Sequence, residues 1–263
     1  MLLDDYLQAA QRLGRFTLPR KRNQRASYAE LLTIVLVGEI LQQKNQGLWY
    51  LTVKSEYQQL FPVLPELSRF YRIQRNFERI YADLALLIAE HDGVYLIDSQ
   101  PVPICKGVRY RRARAMTEAT SGRGGATKQF FGFRLHAVCS GSAAICRFAI
   151  VPANEHDVTV ARCLLDERYD DLQSLIADKA YLGLGIYTPP KQNAQKPGFW
   201  CGFFAKARKS IEAVFSSLTR CRNPCVARTL QQLNSFWSIR ASVCRPWERP
   251  RIAAHNLLLF LFP

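Results

Sequence analysis

The pattern of apolar and polar residues changes character at about residue 90. Before that point apolar residues recur at helical spacing, and from residue 93 onward short apolar or alternating runs typical of strands appear. The sequence therefore predicts an α/β protein, with a helical N-terminal region over residues 1–90 and a second domain over residues 91–263.

The clearest helix signal in the first region begins at Ser27. Ser27 and Glu30 have the spacing of a capping box, and the apolar run 31–37 follows them. We expect a buried helix from about 28 to 43. Over 70–88, aromatic and aliphatic residues recur at helical spacing with arginines between them. This pattern predicts a further amphipathic helix with its arginines facing outward.

Strand patterns dominate the start of the second domain, where three runs predict a meander. These runs are 94–97, 129–139 and 144–151. Asp157 has the character of an N-cap for a helix over 158–169. A strand over 175–177 and a second short strand around 184–188 are expected to follow.

A last helix is predicted from about 205 to 220, because apolar residues recur there at helical spacing. Its apolar face comprises Ile211, Val214, Phe215 and Leu218. Glu212 borders this face, and Arg208 lies one turn earlier, at a distance from which a guanidinium orients a carboxylate.

Three carboxylates occupy positions where an ionised acidic side chain raises the free energy of the folded state. Asp98 ends the apolar run 94–97, Asp178 ends the run 175–177, and Glu212 interrupts an apolar helical stripe. An acid at the end of a buried strand is partly desolvated and repelled by other acids, and a divalent cation relieves both costs. Asp98, Asp178 and Glu212 are therefore candidate metal ligands and catalytic residues.

The charge balance points to a polyanionic partner. Lys and Arg exceed Asp and Glu by enough to give a formal net charge of +15 and a pI near 9.7. Solubility does not require such an excess, whereas phosphate polyanions attract it. Nucleic acid is the expected partner.

A membrane partner is not expected. The longest apolar stretches, 31–37 and 257–262, are much shorter than the roughly 20 residues that span a bilayer. The N-terminus also lacks the basic leader, apolar core and small-residue cleavage site of a secretory signal. We expect a cytoplasmic protein.

Basic residues concentrate immediately after Asp98. The segment 121–125 has the Ser and Gly composition of a mobile loop, so a flexible basic arm is predicted over about 99–128. The candidate DNA-binding residues are Lys106, Arg109, Arg111, Arg112, Arg114, Arg123 and Lys128.

Five motifs occur in a fixed order between residues 97 and 218. They are Ile97-Asp98-Ser99-x-Pro101-x-Pro103-x-Cys105, Phe131-Gly132-Phe133-Arg134-Leu135-His136, Pro152-Ala153-Asn154-x-His156-Asp157, Ala177-Asp178-Lys179-x-Tyr181 and Arg208-x-x-Ile211-Glu212-x-x-Phe215-Ser216-x-Leu218. In this order they resemble the DDE transposases of bacterial insertion sequences, and the resemblance covers most of the chain from about 93 to 220.

The resemblance implies a ribonuclease H-like fold, a mixed sheet flanked by helices. In this fold the first and fourth strands are neighbours, which would bring Asp98 and Asp178 together, with Glu212 arriving from the late helix. The three carboxylates would hold two Mg²⁺ or Mn²⁺ ions for phosphodiester chemistry. The implied activity is cleavage of double-stranded DNA at element ends and strand transfer to a target, by a homodimer or a larger complex.

Supporting roles are expected for Lys179, Arg208 and His156, near the scissile phosphate or the carboxylates, although a structural ion pair also explains Arg208. His136 is interpreted as a core or strand-surface histidine. The chain departs from related transposases at Ala180, where they often have glycine, and at Ala205 and Thr219.

Two other functions remain open. A plain metal-dependent nuclease would need the same acids but would not transfer strands. A truncated or catalytically inactive relic would only bind DNA, but three intact acids argue against it because they weaken the affinity for phosphate.

Overall fold

The computed structural model describes residues 3–18, 25–43, 45–88, 93–105, 116–123, 129–141, 144–165, 175–189, 209–216 and 234. These residues form two compact units. The described part of the first lies within residues 3–87, and that of the second lies within residues 88–234. Within the described residues, no helix combines the length and the apolar character needed to cross a membrane.

The first unit is helical, as predicted. Its helices are α1 (Leu3–Arg12), α2 (Tyr28–Ile40), α3 (Gln46–Glu56), α4 (Leu67–Gln74) and α5 (Glu78–Ile88). A 3-10 turn, Arg75–Phe77, separates α4 from α5, so the amphipathic segment predicted over 70–88 is two helices rather than one. The buried face continues across the turn, because Phe70 and Phe77 are both fully buried.

Helix α2 confirms the predicted capping box. The Ser27 hydroxyl accepts a hydrogen bond from the Glu30 amide, and the Glu30 carboxylate accepts one from the Ser27 amide. The helix ends at Ile40 rather than 43, and Gln42 has a left-handed backbone with φ 57°. Most of α2 is buried, which explains its nearly uniform apolar sequence.

The described residues of the second unit build a five-stranded mixed sheet. Its strands are β1 (Tyr95–Cys105), β2 (Thr120–Arg123), β3 (Gln129–Ser140), β4 (Ile145–Pro152) and β5 (Leu175–Ala177). β3 pairs antiparallel with β1, β2 and β4, and β1 pairs parallel with β5. Helix α6 (Asp157–Leu164) lies between β4 and β5 in the chain. This arrangement is consistent with the expected ribonuclease H-like fold.

The predicted meander and the strand at 175–177 are confirmed, but β1 is longer than its apolar run. β1 extends to Cys105 through Pro101 and Pro103. Proline lacks an N–H donor and is tolerated mainly at sheet edges. The pairing with β5 involves only Tyr95–Ile97, so the proline-containing half of β1 pairs on one side only within the described sheet.

Two further predictions differ from the structure. The short strand β2 was not predicted, because Thr120–Arg123 has no apolar alternation. The strand expected at 184–188 is reduced to a single parallel bridge between Ile176 and Tyr187. Two backbone hydrogen bonds form this bridge, each 2.9 Å long, and they join Tyr187 to Leu175 and Ala177.

Candidate functional site

Asp98 lies within β1, and Asp178 directly follows β5, the parallel neighbour of β1. The parallel register pairs Ile97 with Ala177, so each aspartate comes directly after a member of the last parallel pair. Adjacent strands lie about 4.8 Å apart. The strand pairing therefore brings the first two predicted acids together, as the order of the elements implies.

Each of these aspartates is oriented by a backbone amide nearby in sequence. The Asp98 Oδ1 atom accepts a hydrogen bond of 2.7 Å from the Ser99 amide. Asp178 caps the 3-10 turn Lys179–Tyr181, and its Oδ1 atom accepts a hydrogen bond of 2.7 Å from the Ala180 amide. Both aspartates are half-buried, so backbone donors direct two partly desolvated carboxylates.

Glu212 lies in a helical segment over 209–216, within the predicted helix. Ile211, Val214 and Phe215 are buried, as the spacing predicts, and Glu212 is exposed beside Ile211. Leu218 is outside the described residues. Among the side chains that the structure describes, no group of three or more His, Cys, Asp or Glu residues is arranged to hold a metal ion.

The supporting residues have diverse positions. Lys179 is exposed in the turn after Asp178, and His156 is exposed at the N-cap of α6 without a capping hydrogen bond from its side chain. Arg123 is exposed at the end of β2. The remaining basic candidates lie outside the described residues, and they are Lys106, Arg109, Arg111, Arg112, Arg114, Lys128 and Arg208.

Asp157 does not have the role predicted for it. It is the first residue of α6, the N-cap is His156, and the prediction that Asp157 caps the helix is wrong. Its carboxylate instead accepts hydrogen bonds from Nη1 of Arg134, at 3.1 and 3.3 Å, and from the Ser99 hydroxyl, at 3.1 Å. The half-buried ion pair with Arg134 provides charge-assisted hydrogen bonds to this carboxylate, which are stronger than a bond from a helix amide.

His136 is a core histidine, in agreement with its interpretation from the sequence. It is 0% exposed, its Nδ1 atom is 3.4 Å from the Tyr181 hydroxyl, and its Nε2 atom is 3.7 Å from Oδ1 of Asp157. Burial lowers the pKa of His136 to about 4, although the negative charge of Asp157 opposes this shift. The imidazole is therefore neutral at pH 7.

The pKa of the Tyr181 hydroxyl depends on the charged residues around it. Burial raises the pKa of its hydroxyl, the carboxylates of Asp157, Asp98 and Asp178 raise it further, and a hydrogen bond with the Ser99 side chain opposes the shift. The phenol therefore stays protonated and acts as a hydrogen-bond donor. The carboxylates of Asp98, Asp157 and Asp178 thus all act on one buried hydroxyl.

Sequence reasoning missed this group of polar residues. Arg134 and His136 lie two residues apart in β3, and alternate residues of a strand point to the same face. That periodicity was a usable signal for a polar patch on the sheet. The partners on α6 and in the turn after β5 are distant in sequence and only the fold brings them close.

Comparison with known proteins adds one finding about this region. Residues 88–196 match the family described as a transposase DDE domain. The matched segment includes β1 to β5 with both aspartates, and Glu212 lies beyond it. Neither the curated proteins nor the solved structures contain a significant match.

Proposed function

We propose that this protein, whose residues 88–196 match the transposase DDE domain family, cuts DNA at the ends of an element and transfers the freed strand to a target. The parallel pairing of Ile97 with Ala177 carries this assignment, because it places two aspartates that are far apart in sequence next to each other, each directly after one member of this pair. Both of them fall within the matched segment.

The donor set fits a hard divalent cation. Asp98 and Asp178 offer half-buried carboxylate oxygens at one sheet edge, and oxygen ligands of this kind suit Mg²⁺ and Mn²⁺. We propose that Asp98, Asp178 and Glu212 together hold two such ions, although the described structure does not group Glu212 with the two aspartates in a metal-binding arrangement. When bound, the ions would supply activation of a water or 3′-hydroxyl nucleophile and stabilisation of the leaving oxygen.

The other residues of the chain are proposed to bind and orient DNA. The Ser99 and Ala180 amides keep the two aspartates in fixed orientations. Exposed Lys179 and His156 are proposed to contact the scissile phosphate, and Arg208 to orient Glu212. The basic arm, with Lys106, Arg109, Arg111, Arg112, Arg114, Arg123 and Lys128, is proposed to neutralise the phosphate backbone.

The helical region over residues 1–90 is proposed to bind the element ends. A groove of about 360 Å³ in this region is lined in part by Arg25, Arg69 and Arg72. Three guanidinium groups around one groove are suited to phosphate oxygens. Since two element ends must be joined in one reaction, a homodimer or larger complex is proposed, acting in the bacterial cytosol.

Cleavage of DNA that carries the cognate element ends tests this assignment. With Mg²⁺ or Mn²⁺, the full chain should nick such DNA, and Asp98→Asn or Asp178→Asn should reduce nicking at least ~100-fold while DNA binding persists. Glu118→Gln is the matched control, because it removes an exposed acid of the same unit. Undiminished nicking by both aspartate variants would refute the assignment.

The products of the same reaction separate the other two functions. A transposase joins the cut 3′-end to target DNA, whereas a plain metal-dependent nuclease releases ends without joining them. A relic that only binds DNA would shift the mobility of the end fragment and leave it uncut with either ion.

A further inference from the structure

A partly buried polar cluster connects the two segments that carry Asp98 and Asp178. It consists of Ser99, Arg134, His136, Asp157 and Tyr181, and we call it the Asp157 cluster. Ser99 directly follows Asp98, and Tyr181 lies three residues after Asp178. The cluster therefore touches both acid-bearing segments, although neither aspartate belongs to it.

The first connection runs from Asp157 to Asp98 through Ser99. The Ser99 hydroxyl donates to Oδ1 of Asp157 at 3.1 Å, and the Ser99 amide donates to Oδ1 of Asp98 at 2.7 Å. One residue thus bonds to both carboxylates, with its side chain on one and its backbone on the other. A shift of Asp157 would move Ser99 and the amide that orients Asp98.

Arg134 holds Asp157 in place for this contact. Its Nη1 atom lies 3.1 and 3.3 Å from the two carboxylate oxygens, and its Nη2 atom donates to the backbone oxygen of Arg123 at 2.7 Å. The side chains of Arg134 and Asp157 are only 18% and 17% exposed. Little water competes for this ion pair, so its geometry is well fixed.

The second connection runs from Asp157 to the turn after Asp178. The Tyr181 hydroxyl lies 3.4 Å from Nδ1 of His136 and is also hydrogen-bonded to the side chain of Ser99. The Nε2 atom of His136 has no hydrogen-bond partner among the described residues and lies 3.7 Å from Oδ1 of Asp157. His136 therefore lies between the Tyr181 hydroxyl and the Asp157 carboxylate.

We infer that Asp157 is a positioning residue that sets the separation and orientation of Asp98 and Asp178 through Ser99 on one side and through His136 and Tyr181 on the other. This inference rests on the proposed function, in which Asp98 and Asp178 are ligands of divalent ions. Residues that orient metal ligands affect metal affinity without touching the ion.

Two variants and one control test the inference in the full-length chain. Asp157→Asn keeps the size of the side chain and removes its charge, and Tyr181→Phe removes one hydroxyl. Tyr95→Phe is the control, because Tyr95 is a buried tyrosine of β1 outside the Asp157 cluster. Tyr181→Phe remains informative if Asp157→Asn does not fold, since it leaves the ion pair intact.

The first measurement needs no metal. Hydrogen exchange of the Ser99 and Ala180 amides reports directly on the bonds that orient the two aspartates. We expect exchange to accelerate ~10-fold at both amides in Asp157→Asn and in Tyr181→Phe, because the Tyr181 hydroxyl also bonds to the Ser99 side chain. Tyr95→Phe should match the parent at both amides. Parent-like exchange in both cluster variants would overturn the inference.

The second measurement is the affinity for Mn²⁺ by titration calorimetry. We expect the affinity to fall by about 10- to 100-fold in Asp157→Asn and Tyr181→Phe, and to be unchanged in Tyr95→Phe. Unchanged affinity in both cluster variants would overturn the positioning role. A parent chain that binds no Mn²⁺ would refute the proposed function, and amide exchange alone would then decide whether the cluster orients the aspartates.

Discussion

Gly132 of β3 approaches Val102 of β1 so closely that a Cβ atom on residue 132 would lie 2.3 Å from the Val102 carbonyl oxygen. The same Cβ atom would be 2.9 Å from the Ile104 amide nitrogen. Both neighbours are backbone atoms of the strand that bears Asp98, so no side-chain rotation relieves the overlap. Glycine at this position permits the close pairing of β1 with β3.

Gly132→Ala should therefore destabilise the second unit strongly. We expect a loss of about 3 kcal/mol or more in the free energy of unfolding, since the backbone of β1 must move. Gly47→Ala is a suitable control, because its Cβ atom would meet mainly the hydroxyl of Tyr71, at the end of a flexible side chain. Urea unfolding would contradict the expectation if the two variants lost equal stability.

Removal of the capping hydroxyl in Ser27→Ala should destabilise the helical unit by about 1 kcal/mol, because the Glu30 amide loses its acceptor. Ser55→Ala provides the control, since the Ser55 hydroxyl is exposed and donates to the Thr52 carbonyl near the end of α3. Thermal unfolding followed by circular dichroism measures the difference. A similar midpoint for both variants would mean that the capping box contributes little.

Acidification should weaken the fold through His136. Its pKa is about 4 in the folded state, mainly because of burial, and the ordinary value for histidine is 6.5. The unfolded state binds more protons between these values, so stability is lost as the pH falls from 6.5 to about 4. The loss amounts to roughly 3 kcal/mol.

Urea unfolding at pH 7.5 and pH 4.5 checks this contribution. His136→Gln should lose less stability than the parent between the two pH values, while Asp157, Arg134 and Tyr181 still face the site in both proteins. His156→Gln, which removes an exposed histidine of the same unit, should lose as much as the parent. An equal loss in the parent and in His136→Gln would show that other groups cause the acid sensitivity.

If the arginines of the groove in the helical unit bind phosphate, their replacement should change the salt dependence of DNA binding. Replacement of Arg25 and Arg72 by glutamine should weaken DNA binding and reduce the slope of log K against log salt by about 1.8, or 0.9 for each lost phosphate contact. Arg12→Gln, at the exposed end of α1, should change the slope by less. A slope unchanged by the double replacement would exclude the groove as a phosphate site.

The sequence alone predicted the helices and strands that depend on local sequence signals. The capping box at Ser27 fixed the start of α2, and the apolar run before Asp178 fixed β5. The full length of β1 was not predictable, because Pro101 and Pro103 argue against a strand until the one-sided pairing of that segment is known.

The same distinction applies to the candidate site. Asp98 and Asp178 were recognised because each acid ends an apolar run, and the parallel pairing of β1 with β5 then accounts for their proximity. Asp157 was wrongly predicted to be an N-cap because an acid at the start of a helix commonly caps it. Its true partners, Arg134 and Ser99, are 23 and 58 residues away in sequence.

The bridge at Tyr187 affects how copies of this protein can associate. A short strand at the margin of a sheet exposes unsatisfied peptide groups, which readily recruit a strand from another molecule. Tyr187 occupies those groups on the outer side of β5 by bonding to Leu175 and Ala177. Extension of the sheet from one molecule into the next along this margin would first require Tyr187 to be displaced.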